Sequence, residues 1–308
     1  MSAQQHMSGR HILLALSVVL VWAFNFLVIR IGLNDLPPLF FAGLRFTVTA
    51  FPAVLIVGRQ GMPWRLILGA GACIGVGYFS LLFVGMKLGM PPGFAAQVSQ
   101  GQVVFTVFFS ATLLRETPSP WQSAGIATAL CGLALAGFER MGALNPAGLV
   151  LVVMAALFWG LGNVAIKRLG RGMKVDGFRL VLWMSLVPPL PNFLLSAWLE
   201  EGQWAHLAAL SGSGVFALAY TAFASTLFGW GAWAWLLRRY SAPQVAPFSL
   251  LVPVVALAMS VAWMGEEFSP LLAAASALLL GGVGVTVCEP WLARIRPALV
   301  GPVAAWRR

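Results

Sequence analysis

Apolar runs of about twenty residues, the length an α-helix needs to cross a hydrocarbon layer, recur ten times along this chain. Bounded by charged residues or by Pro and Gly breaks, they lie near 11–32, 38–58, 65–87, 92–114, 121–138, 146–168, 177–198, 213–236, 243–264 and 270–289. A chain of 308 residues divided in this way has no stretch left for a separate soluble domain. The composition agrees: 9% of residues are charged, whereas a soluble domain carries about 25%. The fold expected is therefore an all-α polytopic membrane protein with ten transmembrane helices. Arg10 and His11 lead directly into the first run with no A-x-A-type site, so that run reads as a span and not as a cleavable signal.

The second half repeats the first. Trp22 to Arg30 reads W-A-F-N-F-L-V-I-R, and Trp159 to Lys167 reads W-G-L-G-N-V-A-I-K. Gly43-Leu44-Arg45 is echoed by Gly177-Phe178-Arg179. The segment from Leu114 to Pro120 is echoed by the one from Met264 to Pro270. Each half holds five runs, and an odd number per half places the two copies in opposite orientations. Two inverted five-helix repeats are the usual architecture of a secondary transporter, with its site near the bilayer midplane between them. The expected organisation is a cytoplasmic N-terminal tail (1–10, disordered), a first repeat (11–138) and an outer linker (139–145). A second repeat (146–289) and a cytoplasmic, interfacial tail (290–308) complete it.

Charge placement gives the orientation. Of the 19 basic residues, fourteen fall at one set of helix ends: Arg10, Arg59, Arg65, Arg115, Lys167, Arg168, Arg171, Lys174, Arg238, Arg239, Arg294, Arg296, Arg307 and Arg308. The opposite ends hold Arg30, Lys87 and Arg140, together with Asp35, Glu139, Glu200, Glu201, Glu266 and Glu267. By the positive-inside rule both N- and C-termini are cytoplasmic, which requires an even number of spans. The net charge of +10 is thus a topology signal. No basic domain exists to track a phosphate backbone, so nucleic acid is not an expected partner. Cys73, Cys131 and Cys288 fall in or at the end of apolar runs and read as small fillers; their spacing fits no disulfide framework and no metal.

Polar side chains at membrane depth are costly without a partner and are site candidates by default. Trp22 and Asn25 share one helix face, and Trp159 and Asn163 share the corresponding face of the sixth span. The fourth span carries Gln97, Ser99, Gln100 and Gln102, with Gln97 and Gln100 on one face; they read either as cavity lining or as a polar seam between helices. Tyr78 and Phe79 lie mid-span in the third run, and a phenol there needs a hydrogen-bonding partner. Trp230 is the deepest tryptophan of the eighth span, while Trp233 and Trp235 read as interfacial belt residues. Ser249 sits in the ninth span, where Pro247 and Pro253 are expected to kink the helix. Arg45 and Arg179 are the only charges well inside apolar runs. Each would either bind a substrate carboxylate or snorkel towards a helix end or a carbonyl. No Asp or Glu occupies a span centre, and no nucleophile–base pair or metal cluster exists at membrane depth, so an enzyme is not expected.

The ten spans, duplicated halves, basic inner loops and hairpin tips at Glu116 and Glu266 resemble the EamA-type branch of the drug/metabolite transporter superfamily over essentially the whole chain. The Trp, Asn and Gln placement and the lack of buried acids resemble the bacterial aromatic amino acid exporter group within it. This resemblance implies a basket of helices around a central cavity that opens alternately to each side of the bacterial inner membrane. It implies export of aromatic and other neutral, hydrophobic amino acids, with no cofactor, and with small-molecule substrate and bilayer as partners. Ten spans would suffice for a closed monomer. It carries over Trp22, Asn25, Tyr78, Gln97, Gln100, Trp159, Asn163 and Trp230 as cavity residues. A multidrug or lipophilic-cation (viologen-type) exporter of the same superfamily is the transport alternative, since aromatic walls serve cation–π contacts equally well. A membrane structural or receptor protein is the alternative outside transport.

Overall fold

A computed structural model of the protein describes residues 7–51, 53–139, 145–240 and 242–299, and among them every regular element is helical. The helices are α1 (Gly9–Asp35), α2 (Pro38–Ala50), α3 (Trp64–Lys87), α4 (Pro92–Ser99), α5 (Gln102–Leu114), α6 (Pro120–Glu139) and α7 (Pro146–Leu169). They continue as α8 (Gly177–Met184), α9 (Pro189–Leu199), α10 (Gly212–Arg239), α11 (Ala242–Ser249), α12 (Leu251–Met264) and α13 (Pro270–Leu299). Short turns at Ala53–Ile56 and Gln203–Ala208 extend α2 and follow α9. Among the described residues, eight segments are long and apolar enough to cross a membrane.

The two expected spans outside these eight take other forms. The run 92–114 is interrupted by a turn at Gln100 and Gly101, so neither α4 nor α5 reaches crossing length. In the run beginning at Pro270, only Pro270–Thr286 counts as an apolar helix, although the helix itself continues to Leu299. Residues 290–299 of the expected tail are therefore helical, because Leu292, Ala293 and Arg294 are good helix formers. Residues 1–6, 140–144 and 300–308, which belong to the expected tails and linker, lie outside the described part.

The interruptions cluster at mid-helix. Besides α4/α5, the chain breaks between α11 and α12 at Leu250 and between α8 and α9 at Ser185–Pro188. Pro247 lies inside α11 and its carbonyl accepts from Leu250 N–H at 3.2 Å. Pro253 is in the first turn of α12, where its missing N–H costs no helical hydrogen bond. Helices α3 and α10 stay continuous but widen into π-turns over Gly71–Tyr78 and Tyr220–Trp230. At membrane depth such irregular backbone is tolerated where it is buried in protein or lines a cavity.

Helix α1 is apolar on all sides, and a helix of that kind belongs in a protein interior; it packs against α12 and α10. Helix α6 pairs closely with α13, α5 and α3 with α7, α4 with α12, and α2 with α9. Pairs such as α6–α13, α4–α12 and α2–α9 join the first half of the chain to the second.

One end of the bundle is fastened by carboxylates. Pro37-Pro38 and Pro91-Pro92 each place a proline at the first helical position, leaving the next two N–H groups of α2 and α4 without intrahelical acceptors. Glu200 accepts from Leu39 and Phe40 N–H at 2.7 and 3.0 Å. Glu266, only 8% exposed, accepts from Gly93 and Phe94 N–H at 3.0 and 3.1 Å. A negative charge is also favoured by the positive end of the helix dipole. At the same end Asp35 accepts from Ser211 N–H and Oγ, and Glu139 accepts from Ser269 Oγ. The opposite, basic end holds Lys167–Glu116 at 2.7 Å and Arg238–Asp176 at 2.6 Å, and there Arg179 donates to the Gly58 carbonyl.

The two hairpin tips close alike: Arg115 and Gly265 take left-handed backbone, and Glu116 and Glu266 N–H reach back to the Ser110 and Ser260 carbonyls. Their carboxylates differ, one buried as a cap and the other in an exposed ion pair. Glu266→Ala is expected to cost about 1–2 kcal/mol of stability, as loss of a helix cap does. Glu116→Ala should cost under about 1 kcal/mol. Thermal melts of the purified variants in one detergent check this; equal shifts would contradict it.

Candidate functional site

A cavity of about 540 Å³ lies between the halves. Its walls come from α1 (Trp22, Asn25, Phe26), α2 (Arg45), α3 (Tyr78, Phe79, Leu82), the α4/α5 break (Ser99, Gln100, Gln102), α7 (Trp159, Asn163), α10 (Ser225, Trp230, Trp233) and the α11/α12 break (Ser249, Leu250). It extends from the bundle centre to Gln122 and Thr286, near the basic ends of α6 and α13. Towards the acidic end the interior is solid: Leu33, Phe41, Phe83, Met86, Met90 and Phe94 are all buried. The cavity is thus directed to the basic end, while the carboxylate-fastened end is filled.

The aromatic part is a connected set. Trp159 stacks on Trp230 with ring centroids 5.9 Å apart and planes at 25°. Tyr78 meets Trp159 edge-on at 4.3 Å, and Trp22 lies 5.4 Å from Trp230 and 5.2 Å from Trp233. These offset and edge-to-face arrangements follow from the ring quadrupole. Backbone irregularity makes the approach possible. Trp22 Nε1 donates to the Ser225 carbonyl at 3.1 Å inside the π-turn of α10. A Cβ at Gly229 would stand 2.4 Å from that same indole nitrogen, so only glycine lets α10 pass this close.

The polar groups divide into satisfied and unsatisfied. Tyr78 Oη donates to Ser99 Oγ at 3.4 Å. Asn163 Nδ2 donates to Gln102 Oε1 at 2.9 Å and to Thr106 Oγ1 at 3.1 Å, tying α7 to α5. Ser249 Oγ donates to the Ala246 carbonyl at 2.7 Å. Asn25 is 6% exposed and its Oδ1 has no hydrogen-bond partner. Arg45 is 1% exposed. Its Nη2 donates to Thr226 Oγ1 at 3.0 Å, whereas Nε and Nη1 have no acceptor. The Phe79 ring lies over this guanidinium, with its centroid 4.1 Å from Cζ.

Of the side chains singled out from sequence, Trp22, Asn25, Tyr78, Phe79, Gln100, Trp159, Asn163, Trp230 and Ser249 border this one cavity. Gln97 does not. It is 1% exposed, and its Oε1 accepts from Ser276 Oγ on α13 at 3.0 Å, which places it in the seam behind the wall. Trp233, read as a belt residue, is in the wall. Arg45 does not snorkel; it is held at the centre by Thr226. Arg179 does find a carbonyl, that of Gly58, at 2.7 Å. Gln122, Thr106 and Thr286 also line the cavity, and no periodicity distinguishes them from neighbouring helix-surface polar residues. Among the described residues Arg45 is the one charged side chain in the wall, and no group of three or more potential metal ligands exists among them.

The model of the EamA-like transporter family matches residues 9–138 and again 146–288. The chain is 39% identical over 287 residues to a "Probable amino-acid metabolite efflux pump" of Salmonella typhimurium, covering 91% of this chain and 96% of that protein. It is 37% identical over 286 residues to the protein of the same name in Escherichia coli K12, with the same coverage. A "Probable terminal-alkyne amino-acid exporter" of Streptantibioticus cattleyicolor is 27% identical over 274 residues, covering 86% of this chain and 89% of the exporter. One crystal structure superposes with a TM-score of 0.62 at 22% identity, covering 91% of this chain and 98% of that one; it shows the fold alone.

Proposed function

The chain belongs to the EamA-like transporter family, and from that premise we propose that it exports amino acids and related metabolites, aromatic ones among them, by alternating access. It is a multi-pass protein of the bacterial inner membrane. The observation that carries the reading is the cavity itself: a stacked Trp pair with Tyr78 edge-on to it, beside neutral amides and hydroxyls, between the two halves of the chain. Aromatic faces suit a substrate ring, and amides and hydroxyls suit its ammonium and carboxylate. The efflux-pump names of the relatives at 39% and 37% identity support the same class. The broken and π-widened helices at the cavity are the kind of backbone that transporters use at their binding sites.

In this reading ten segments span the bilayer as two inverted repeats, 11–138 and 146–289, with both termini cytoplasmic. The charge count and the sequence echo are what support it. The basic end is then cytoplasmic, and the cavity is in its inward-facing state. Outward opening requires the Glu200 and Glu266 caps and the apolar fill beneath them to part. A lipophilic-cation exporter is disfavoured, because among the described residues the one charge in the wall is positive and no carboxylate lines it. Counterflow in proteoliposomes with labelled phenylalanine, tryptophan, leucine and cysteine, beside tetraphenylphosphonium, tests the reading. Saturable counterflow of at least one amino acid is expected. Uptake of the cation alone would overturn it.

A further inference from the structure

We propose that Arg45 is the carboxylate anchor of this cavity, with the Asn25 carbonyl as the acceptor for the substrate ammonium, so that the site selects free α-amino acids over amines that lack a carboxylate. The proposal rests on the transport reading above and assigns residues within it. A charged group buried without a partner is among the costliest features a fold can carry, and an ionisable side chain at membrane depth is expected to be paired. Arg45 is 1% exposed and donates one hydrogen bond, to Thr226, a neutral hydroxyl. Its Nε and Nη1 have no acceptor. No counter-charge faces it: among the described residues α1, α3, the α4/α5 break, α6, α7, α10, the α11/α12 break and α13 contribute no Asp or Glu to the wall. The Phe79 ring at 4.1 Å offsets part of the charge through its π face and itself lines the cavity.

The unsatisfied atoms are complementary to one ligand. A guanidinium takes a carboxylate through two parallel N–H groups, either Nε with Nη2 or Nη1 with Nη2; Nε and Nη1 are unmet, and Nη2 has a second hydrogen beside the one given to Thr226. Asn25 Oδ1 is an unsatisfied acceptor in the same cavity, and an ammonium is a donor with no acceptor capacity. The aromatic wall of Trp22, Trp159 and Trp230 is left for the side chain. A zwitterion with an apolar side chain supplies both missing partners at once and leaves the cavity with the charge it began with. The Phe79 ring covers the face of the guanidinium, and a carboxylate binds in its plane, so the two contacts are compatible.

The test is competition against labelled L-phenylalanine counterflow in proteoliposomes of the full chain. The competitors are L-phenylalanine, L-phenylalaninamide, 3-phenylpropionate and 2-phenylethylamine. For the natural sequence the amide and the amine should compete at least about tenfold less well than phenylalanine, as expected when a charge-assisted pair is lost. Phenylpropionate should outcompete phenylethylamine. In Arg45→Gln the acid-over-amide ratio should fall to within about threefold of unity, while Arg45→Lys should keep the order with weaker binding. A ratio does not depend on how much protein each vesicle holds. If Arg45→Gln does not fold, the natural-sequence series decides alone. An amide that competes as well as the acid, or an Arg45→Gln protein that keeps the full preference, would overturn the assignment and leave amino-acid export standing. Cation uptake without phenylalanine counterflow would overturn both.

Discussion

Replacing Trp159 with alanine is expected to reduce apparent substrate affinity about 30-fold while leaving membrane abundance unchanged. Trp159 is the keystone of the aromatic wall: it touches Trp230 on one side and Tyr78 and Phe79 on the other. Truncating an aromatic anchor at the centre of a binding site costs about 2 kcal/mol or more, and each 1.4 kcal/mol is a factor of ten. The deletion also removes the ring against which Tyr78 and Phe79 rest, so the Phe79 ring over Arg45 would lose a support. Trp159→Phe keeps an aromatic face and should recover most of the loss. Concentration dependence of counterflow, normalised to protein in the vesicles, is the measurement. Unchanged half-saturation in Trp159→Ala would mean that the substrate does not use this wall.

The second large effect concerns the scaffold. Gly282→Leu is expected to prevent stable folding, at a cost of at least about 3 kcal/mol, the upper range for overpacking a close-packed contact. A Cβ at Gly282 would lie 2.4 Å from both the Ala129 amide nitrogen and the Gly125 carbonyl oxygen. Reciprocally, a Cβ at Gly132 would lie 2.4 Å from the Leu279 nitrogen. These are backbone atoms and cannot rotate away. Helices α6 and α13 therefore touch main chain to main chain, the packing that small residues permit where no hydrophobic force drives helices together in lipid. Gly281 is the internal control: nothing lies within 4 Å of its Cβ position, so Gly281→Leu should be neutral. Yield of monodisperse protein and melting temperature separate the two. A Gly282→Leu protein that matches Gly281→Leu would show that α6 and α13 do not pack this way.

The resemblance between the halves explains why so much of the site was legible. Trp22 with Asn25 and Trp159 with Asn163 stood out because the same residue pair recurs at similar depth in two apolar runs, where polar groups are rare. Gln97 shows the limit of that reasoning. A buried glutamine can face a cavity or a neighbouring helix, and which one depends on the rotation of α4, set by its contact with α12 and α13. Trp233 is in the wall for the related reason that distance along the chain from Arg238 does not fix which way an indole points.

The amino-acid sequence by itself determined the all-helical class, the eight apolar runs that fold as helices of crossing length among the described residues, and the list of polar groups that cannot face lipid, because burying charge and backbone in hydrocarbon is governed by composition over twenty-residue windows. Only the tertiary structure decided that the α4/α5 and α11/α12 breaks and the π-turns of α3 and α10 meet at one chamber, that Glu200 and Glu266 fasten one end of it, and that Arg45 stands in its wall with two donors unmet. Those facts rest on contacts between residues more than a hundred positions apart, whose geometry no local pattern encodes.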